Sequence, residues 1–470
     1  MSGSVEGDGG NPDVSPHSVS GGRGDLGGAS VEARLEREGG PRERYASCDD
    51  ATSSKARAAG SRRGSLWLIA AAAVVPRLAI LLYERNDILT AFTEKSDDFA
   101  RTFVDHGTFG FLPGEPSAYT QPLYGFFLVP LYAIFGRHWL VVGLAQTAVA
   151  LAVALLVYEL GRRVLSRRAG VLAALVTTLN PYLVWHDVHV NREILDQLVG
   201  AGFVLATLVA VERRSWRWAA LAGVLAGLAI LGNSRLVLLP FLLAGYLLAR
   251  LGRRAWAAGA VLLVGAAVAV SPWLIRNRVE LGCWALTTDA RALWKANNLQ
   301  TYGVLASGGW IDDVKDRPGH PFPNPEEARD LYRETGRKVH VTECSNMRYY
   351  QRKVRTFWRE HPGAKAKLAA QAVRMEWDPR PTKTATESGR GVARDWVQPV
   401  YTSLLFAVGL VGLALVPRRF AALTLLLLAY ETVAAMVFVG ATRYRVAWDF
   451  LIAVPAAAAL ERGSARWRAR

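Results

Sequence analysis

The sequence predicts an all-α, polytopic membrane protein, and three observations predict it. From residue 65 onward, apolar stretches of roughly 17 to 23 residues recur, the length that crosses a hydrocarbon core about 30 Å thick. Arginines gather in the short loops between those stretches, the bias that sets the orientation of a multi-pass chain. The chain is 51% hydrophobic over 470 residues, yet the segment before the first stretch holds almost no large apolar side chain.

Residues 1–64 are rich in Gly, Ser, Arg and Asp. Such a segment cannot bury enough surface to offset the entropy of ordering, so it is read as a disordered cytoplasmic tail. Ten spans follow, at approximately 65–83, 139–160, 170–186, 194–211, 218–232, 236–250, 256–275, 398–416, 420–440 and 446–461. Ten crossings put Arg62-Arg63, Arg162-Arg163, Arg167-Arg168, Arg213-Arg214, Arg253-Arg254, Arg418-Arg419 and the basic tail 462–470 on one face. That face is assigned to the cytoplasm, with both termini inside. The apolar stretch 122–136 is short and carries Pro130. Counting it as a crossing would turn every later cluster outward, so an interfacial or re-entrant helix is expected there, with Tyr124 and Tyr132 at headgroup level.

Two large segments are left outside. The first, 84–138, joins the opening spans of a membrane module that runs over 65–275. The second, 276–397, reads as a small, mainly helical domain, after which residues 398–461 form the last membrane helices. In it Asn324-Pro325-Glu326-Glu327 has the order of a helix start: an N-cap, a proline in the first turn and an acid behind it. Helices are also expected over 343–361 and 363–377, parted by His361-Pro362. Cys283 and Cys344 share this segment, where oxidation is permitted, so a disulfide between them is one expectation and two free thiols the other.

The net charge of +16 raises the question of nucleic acid, but no basic block interleaved with aromatics lies on a soluble domain. No internal repeat favours an inverted-repeat transporter. Neither a Ser-His-Asp arrangement nor an HExxH pattern supports acyl transfer or proteolysis. The first apolar stretch follows more than sixty polar residues and no clear cleavage site comes after it, which argues against a cleaved signal peptide.

The informative residues are charges in places that resist them. Arg192, Arg235, Arg276, Arg278, Arg443 and Arg445 lie near span ends on the outer side, against the prevailing bias. Snorkelling accounts for any one of them. Arg443-Tyr444-Arg445 is different, because two guanidinium forks beside a tyrosine suit the oxygens of a lipid phosphate. Arg276, in Pro272-Trp273-Leu274-Ile275-Arg276-Asn277, offers further help. Arg77 lies within the first span, where a partner carboxylate is the plain expectation and a place near a phosphate the alternative. The acidic pair Asp97-Asp98 stands in the first outer segment. His186, His189 and Glu193 fall on one face if their turn is helical, which suits hydrogen-bonded histidines or, as the alternative, a metal.

The order of these motifs resembles the bacterial members of glycosyltransferase family 39, relatives of the dolichyl-phosphate-mannose-protein mannosyltransferases. The resemblance rests on Asp97-Asp98 after the first span, and on Pro122-Leu123-Tyr124 through Phe135-Gly136, followed by Gly161-Arg162-Arg163. It also rests on Asn180-Pro181 with Glu193 opening the next span, on Pro272 to Asn277, and on Arg443-Tyr444-Arg445. It covers about residues 65–461. It departs at Asp98, where many relatives carry Glu, and at Val446-Ala447-Trp448-Asp449, where a proline-containing run is usual.

That resemblance implies a GT-C-type bundle of about ten transmembrane helices plus an interfacial helix, in the cell membrane, with an extracytoplasmic active site. It implies transfer of a sugar from a polyprenyl-phosphate donor to a hydroxyl of a protein, lipid or polysaccharide acceptor, with inversion at the anomeric carbon. Asp97 is then the first candidate for general base and Asp98 the second, with Glu193 orienting the acceptor or tuning the base. Arg443, Tyr444, Arg445 and Arg276 are the candidates for the donor phosphate. No cofactor and no metal ligand set is required, a divalent ion remaining the open alternative; membrane lipids are partners and nucleic acid is not. The rival readings are a glycan polymerase or ligase using lipid-linked donors, and a transporter or flippase of lipid-linked sugar.

Overall fold

The computed structural model describes residues 42–90, 93–252, 255–316, 324–382 and 393–468. Most of the tail expected to be disordered lies outside them. The first helix, Arg42–Tyr83, begins inside that tail. Its early part, rich in Ala and Arg and without proline, has the composition of a helix former. The chain divides into two units, residues 1–60 and 61–470; the former is represented only by the start of this helix, and the site belongs to the latter.

Among the described residues there are helices and two isolated bridges, with no strand. Seven helices are long and apolar enough to cross a membrane: Arg63–Tyr83, Trp139–Val164, Glu193–Arg213, Ser234–Leu251, Trp256–Leu281, Asp395–Leu413 and Arg418–Val437. The other three expected spans also fall on helix. Trp216–Gly232 is shorter, and Phe450–Arg468 carries its polar end into the basic tail. The third expected span is broken, into Arg167–Thr178 and Pro181–His186, because Asn180 caps the second piece by accepting from the Tyr182 N–H and Pro181 opens it. The chain is thus an all-α, multi-pass membrane protein, and its proline-bearing apolar stretch is the helix Pro122–Phe135, about 21 Å long at 1.5 Å per residue and too short to span.

Close helix packing follows small residues. Trp216–Gly232 lies against Trp256–Leu281 with Gly223 and Gly227 facing the Leu262 and Ala266 carbonyls, where no Cβ fits. This is the packing by which membrane helices associate when apolar burial alone gives no drive. Arg77 finds the partner its burial requires. Its guanidinium meets Asp187 at 2.6 Å and donates to the Thr178 carbonyl at 3.1 Å, with both charged groups 2% exposed.

The segment 276–397, expected to form an outer domain, folds at its punctuation into Pro325–Thr335, Glu343–Glu360 and Pro362–Trp377. Asn324 accepts from the Glu326 N–H, and Pro362 starts the last of these helices. Cys283 and Cys344 form a disulfide, which joins the end of Trp256–Leu281 to the start of Glu343–Glu360. Next to it the Glu343 carboxylate accepts from the Ala118 N–H at 3.0 Å and the Thr288 hydroxyl at 2.7 Å. The bond closes a loop 61 residues long. On the chain-entropy model its removal costs about 4 kcal/mol of the stability of this region. Alkylation without prior reduction should leave both sulfurs unlabelled, and Cys283→Ser should lower the unfolding midpoint; a label on either cysteine of the native protein would contradict the pairing.

Candidate functional site

A cavity of about 420 Å³ lies between the first outer segment, the outer domain and the ends of the membrane helices. Its wall takes Thr93, Glu94 and Lys95 from the first segment, and Tyr119, Thr120 and Gln121 from the turn before Pro122. Arg192, Arg235, Arg443 and Tyr444 come from helix ends, and Asp289, Trp310, Asp312 and Gln351 from the outer domain. A bridge between Thr93 and Val190 sets the first segment beside the turn that holds Arg192 and Glu193.

Glu94 is the N-cap residue of the helix Lys95–His106, with extended backbone at φ −73° and ψ 151°. Its side chain does not cap that helix but turns into the cavity, where Oε1 lies 3.5 Å from the Arg443 guanidinium. That oxygen is buried and accepts no hydrogen bond among the described residues. Burial raises the pKa of this carboxyl, but Arg192, Arg443 and Lys95 together outweigh burial and hold it below the usual glutamate value. Glu94 is therefore ionised at neutral pH.

Arg443 spans two carboxylates, with Nε 3.2 Å from Glu193 and Nη2 near Glu94. Arg192 donates to Gln121 Oε1 at 2.5 Å and lies 3.9 Å from Glu193. The Arg235 guanidinium stacks 3.6 Å from the centre of the Tyr444 ring and donates to the Val439 carbonyl. Three guanidinium groups thus line a space whose wall also includes the Glu94 carboxylate, an arrangement that can bind an anion and accept a proton beside it.

The structure brings some of the sequence-derived residues together and places others apart. Arg443 and Tyr444 line the cavity, and Glu193 stands directly behind Arg443. Arg445 does not reach it. It is 1% exposed, pairs with Asp449 at 3.3 Å and donates to the Glu376 and Asp378 carbonyls. Arg276 is also elsewhere, donating to the Ser117 and Phe109 carbonyls with its charge over Trp273. Asp97 faces the helix Pro122–Phe135. Tyr132 donates to it at 2.6 Å, and Arg137 pairs with it at 2.8 Å. Asp98 faces the outer domain, against Arg329 and Arg333.

The two histidines go to separate partners. His186 meets Asn191 and stacks on Tyr182, while His189 meets the Trp185 carbonyl and stacks on that indole. No group of three or more metal-ligating side chains is gathered among the described residues. Among the charged residues of the cavity wall, Glu94, Lys95, Asp289 and Asp312 are those that the sequence reading passed over. The available signal for Glu94 was a carboxylate three residues before an acidic pair, at the start of a helix.

Asp97 and Glu94 are separable by stability. Asp97→Asn should lower the unfolding midpoint through loss of the Arg137 pair, by about 2 kcal/mol, less than a fully buried pair because Arg137 still reaches water. Thermal unfolding in detergent measures it, and an unchanged midpoint would contradict this role for Asp97.

Comparison with known proteins adds the following. In fold the chain is similar to the archaeal oligosaccharyltransferase AglB from Archaeoglobus fulgidus, solved in complex with an inhibitory peptide and a dolichol-phosphate. That match has 13% identity, a TM-score of 0.49, and coverage of 87% of this chain and 52% of that one. The chain therefore spans about half the length of that protein. It is also similar to ArnT from Cupriavidus metallidurans bound to undecaprenyl phosphate, at 16% identity and a TM-score of 0.42, over 85% of this chain and 78% of that one. No curated protein matches it. A family model described as dolichyl-phosphate-mannose-protein mannosyltransferase matches residues 116–275, a stretch that contains Arg192, Glu193 and Arg235. Over that stretch the chain is similar to a glycosyltransferase family, the dolichyl-phosphate-mannose-protein mannosyltransferases, which is the kinship that its motifs resemble.

Proposed function

We propose that this protein is an integral-membrane, inverting glycosyltransferase that moves a sugar from a polyprenyl phosphate to an acceptor hydroxyl. The observation that carries the reading is the Glu94 carboxyl group beside Arg192, Arg235 and Arg443 in one cavity at the ends of membrane helices. The acceptor O–H gives its proton to Glu94 as its oxygen bonds to the anomeric carbon. The bond from that carbon to the phosphate oxygen breaks, and the electron pair leaves with the lipid phosphate. The phosphate gains charge as it departs, and fixed guanidinium groups offset that charge without reorganising. One displacement inverts the anomeric configuration.

Two acids compete for the role of base. Asp97 is the one that the family resemblance puts forward, yet its oxygens are taken by Tyr132 and Arg137. Glu94 lines the cavity, and its Oε1, 3.5 Å from the Arg443 guanidinium, accepts no hydrogen bond among the described residues; we assign the base to it. Arg443 and Tyr444 remain donor-site residues in this reading, joined by Arg192 and Arg235, with Glu193 fixing Arg443 from behind. The cavity is built in large part from segments 84–138 and 276–397, which loop charge assigns to the extracytoplasmic side, with both termini in the cytoplasm. The acceptor is a hydroxyl of a protein, lipid or polysaccharide, and the transfer calls for no cofactor.

The test is to incubate purified protein with a panel of polyprenyl-phosphate sugars and to measure released polyprenyl phosphate, with the product's anomeric configuration read by NMR. Release with inversion is expected from at least one donor. Absence of release from all of them, or retention of configuration, would sink the reading.

A further inference from the structure

The segment Glu94–Asp98 carries four charged side chains in five residues, and each leaves in a different direction. Glu94 enters the cavity towards Arg443, and Asp97 goes to Tyr132 and Arg137. Lys95 meets Glu326 at 2.9 Å and Asp289 at 3.1 Å, with its ammonium 4.6 Å from the centre of the Tyr119 ring. Asp98 meets Arg333 at 2.7 Å and Arg329 at 3.3 Å.

Glu326, Arg329 and Arg333 belong to one outer-domain helix, Pro325–Thr335, at spacings of three and four that put them on one face. Their charges run in the order that complements the segment: an acid opposite Lys95, then two bases opposite Asp98. Ala328, on the turn between them, is buried. The Arg329 guanidinium also lies 5.1 Å from the Phe111 ring centre, which ties the helix to the far end of the same loop. Lys95 is the residue next to Glu94 and shares the cavity wall, but two carboxylates already neutralise its ammonium. It is thereby ill placed to serve as a phosphate ligand and well placed to fix the backbone on which Glu94 stands.

We infer that the helix Pro325–Thr335 is a latch through which the outer domain sets the position of Glu94, with Lys95 as the positioning residue. The inference rests on Glu94 being the base. A misplacement of about 1 Å at a reacting group can cost on the order of 100-fold in rate, so a latch one residue away has leverage without touching substrate.

The experiment compares Lys95→Gln, Lys95→Arg and the double variant Arg329→Ala/Arg333→Ala, with Glu94→Gln alongside. Turnover, donor KM and amide hydrogen exchange over residues 94–106 are read for each. Lys95→Gln should lower kcat by roughly 10- to 100-fold with donor KM held within about threefold, and Lys95→Arg should restore most of it. The double variant should act in the same direction, and exchange over 94–106 should quicken in it and in Lys95→Gln. Unchanged kcat in Lys95→Gln, or a rise in donor KM at constant kcat, would overturn the latch, the second by making Lys95 a phosphate ligand. Should Lys95→Gln fail to accumulate in the membrane, the double variant gives the same reading. A fully active Glu94→Gln would remove the base assignment while leaving exchange to decide whether the helix holds the segment.

Discussion

Glu94→Gln is expected to lower the rate of sugar transfer by about 10²- to 10⁴-fold, the range that a positioned general base contributes. The substitution keeps the size and the polar reach of the side chain, so the cavity should stay formed and the lipid phosphate should bind with nearly the same affinity. Single-turnover transfer from a radiolabelled donor, with donor binding measured separately, checks both halves. Retained turnover would exclude Glu94 as base and return the role to Asp97. The two assignments also differ in rank order: Glu94→Gln should lose rate more than stability, whereas Asp97→Asn should lose stability more than rate. The pH profile adds an independent constraint. Glu94 has its pKa lowered in the folded protein, so its ionised form persists on acidification until the pH falls through that lowered value. The acidic limb of the transfer rate should accordingly have its midpoint below the ordinary glutamate value of 4.5.

Arg443→Ala is the second substitution with a large expected effect. Loss of one fixed donor to a developing anion typically costs about 10²- to 10³-fold, and the donor KM should rise here because the same group binds the ground-state phosphate. A second consequence follows from its position between two acids. Arg443 is one of the three cations that hold the Glu94 carboxyl ionised, and it also pairs with Glu193. Without it the Glu94 pKa moves up, and the acidic limb of the residual activity should shift towards higher pH. Steady-state kinetics at several donor concentrations and a pH series on the variant measure both; an unchanged donor KM and an unmoved limb would reject the role of Arg443.

How much of this could be read from the chain depends on the scale of the question. Apolar length and arginine clusters are averages over many residues, so all ten expected spans fall on helices. Local punctuation is nearly as legible, as Asn324-Pro325 and His361-Pro362 show, because a proline or a cap acts within its own turn. Direction of a single side chain is not. Along the short helix Thr442–Val446 successive residues turn by about 100°, so Arg443 and Tyr444 face the cavity while Arg445 points into the bundle to Asp449. The same rotation divides Asp97 from Asp98, and the extended backbone at Glu94 sends its side chain a third way. Arg192 and Arg235 were visible as charges against the topological bias, but their convergence depends on contacts between distant segments that no local pattern encodes. Arg276 was visible too, and serves the Phe109–Ser117 loop instead.

The ion pairs of Arg443 also bear on how the molecule is assembled. Glu94 and Glu193 are translated early, and the cation between them comes near the end of the chain. Until the last membrane helices are in place, the half-built protein presents two acids to Arg192 and Lys95 without Arg443, in surroundings that penalise unpaired charge. Arrival of Arg443 relieves that repulsion and completes the anion site in one event. A product truncated before Thr442 would lack the cation that stands between these two acids and would keep their charge less fully paired.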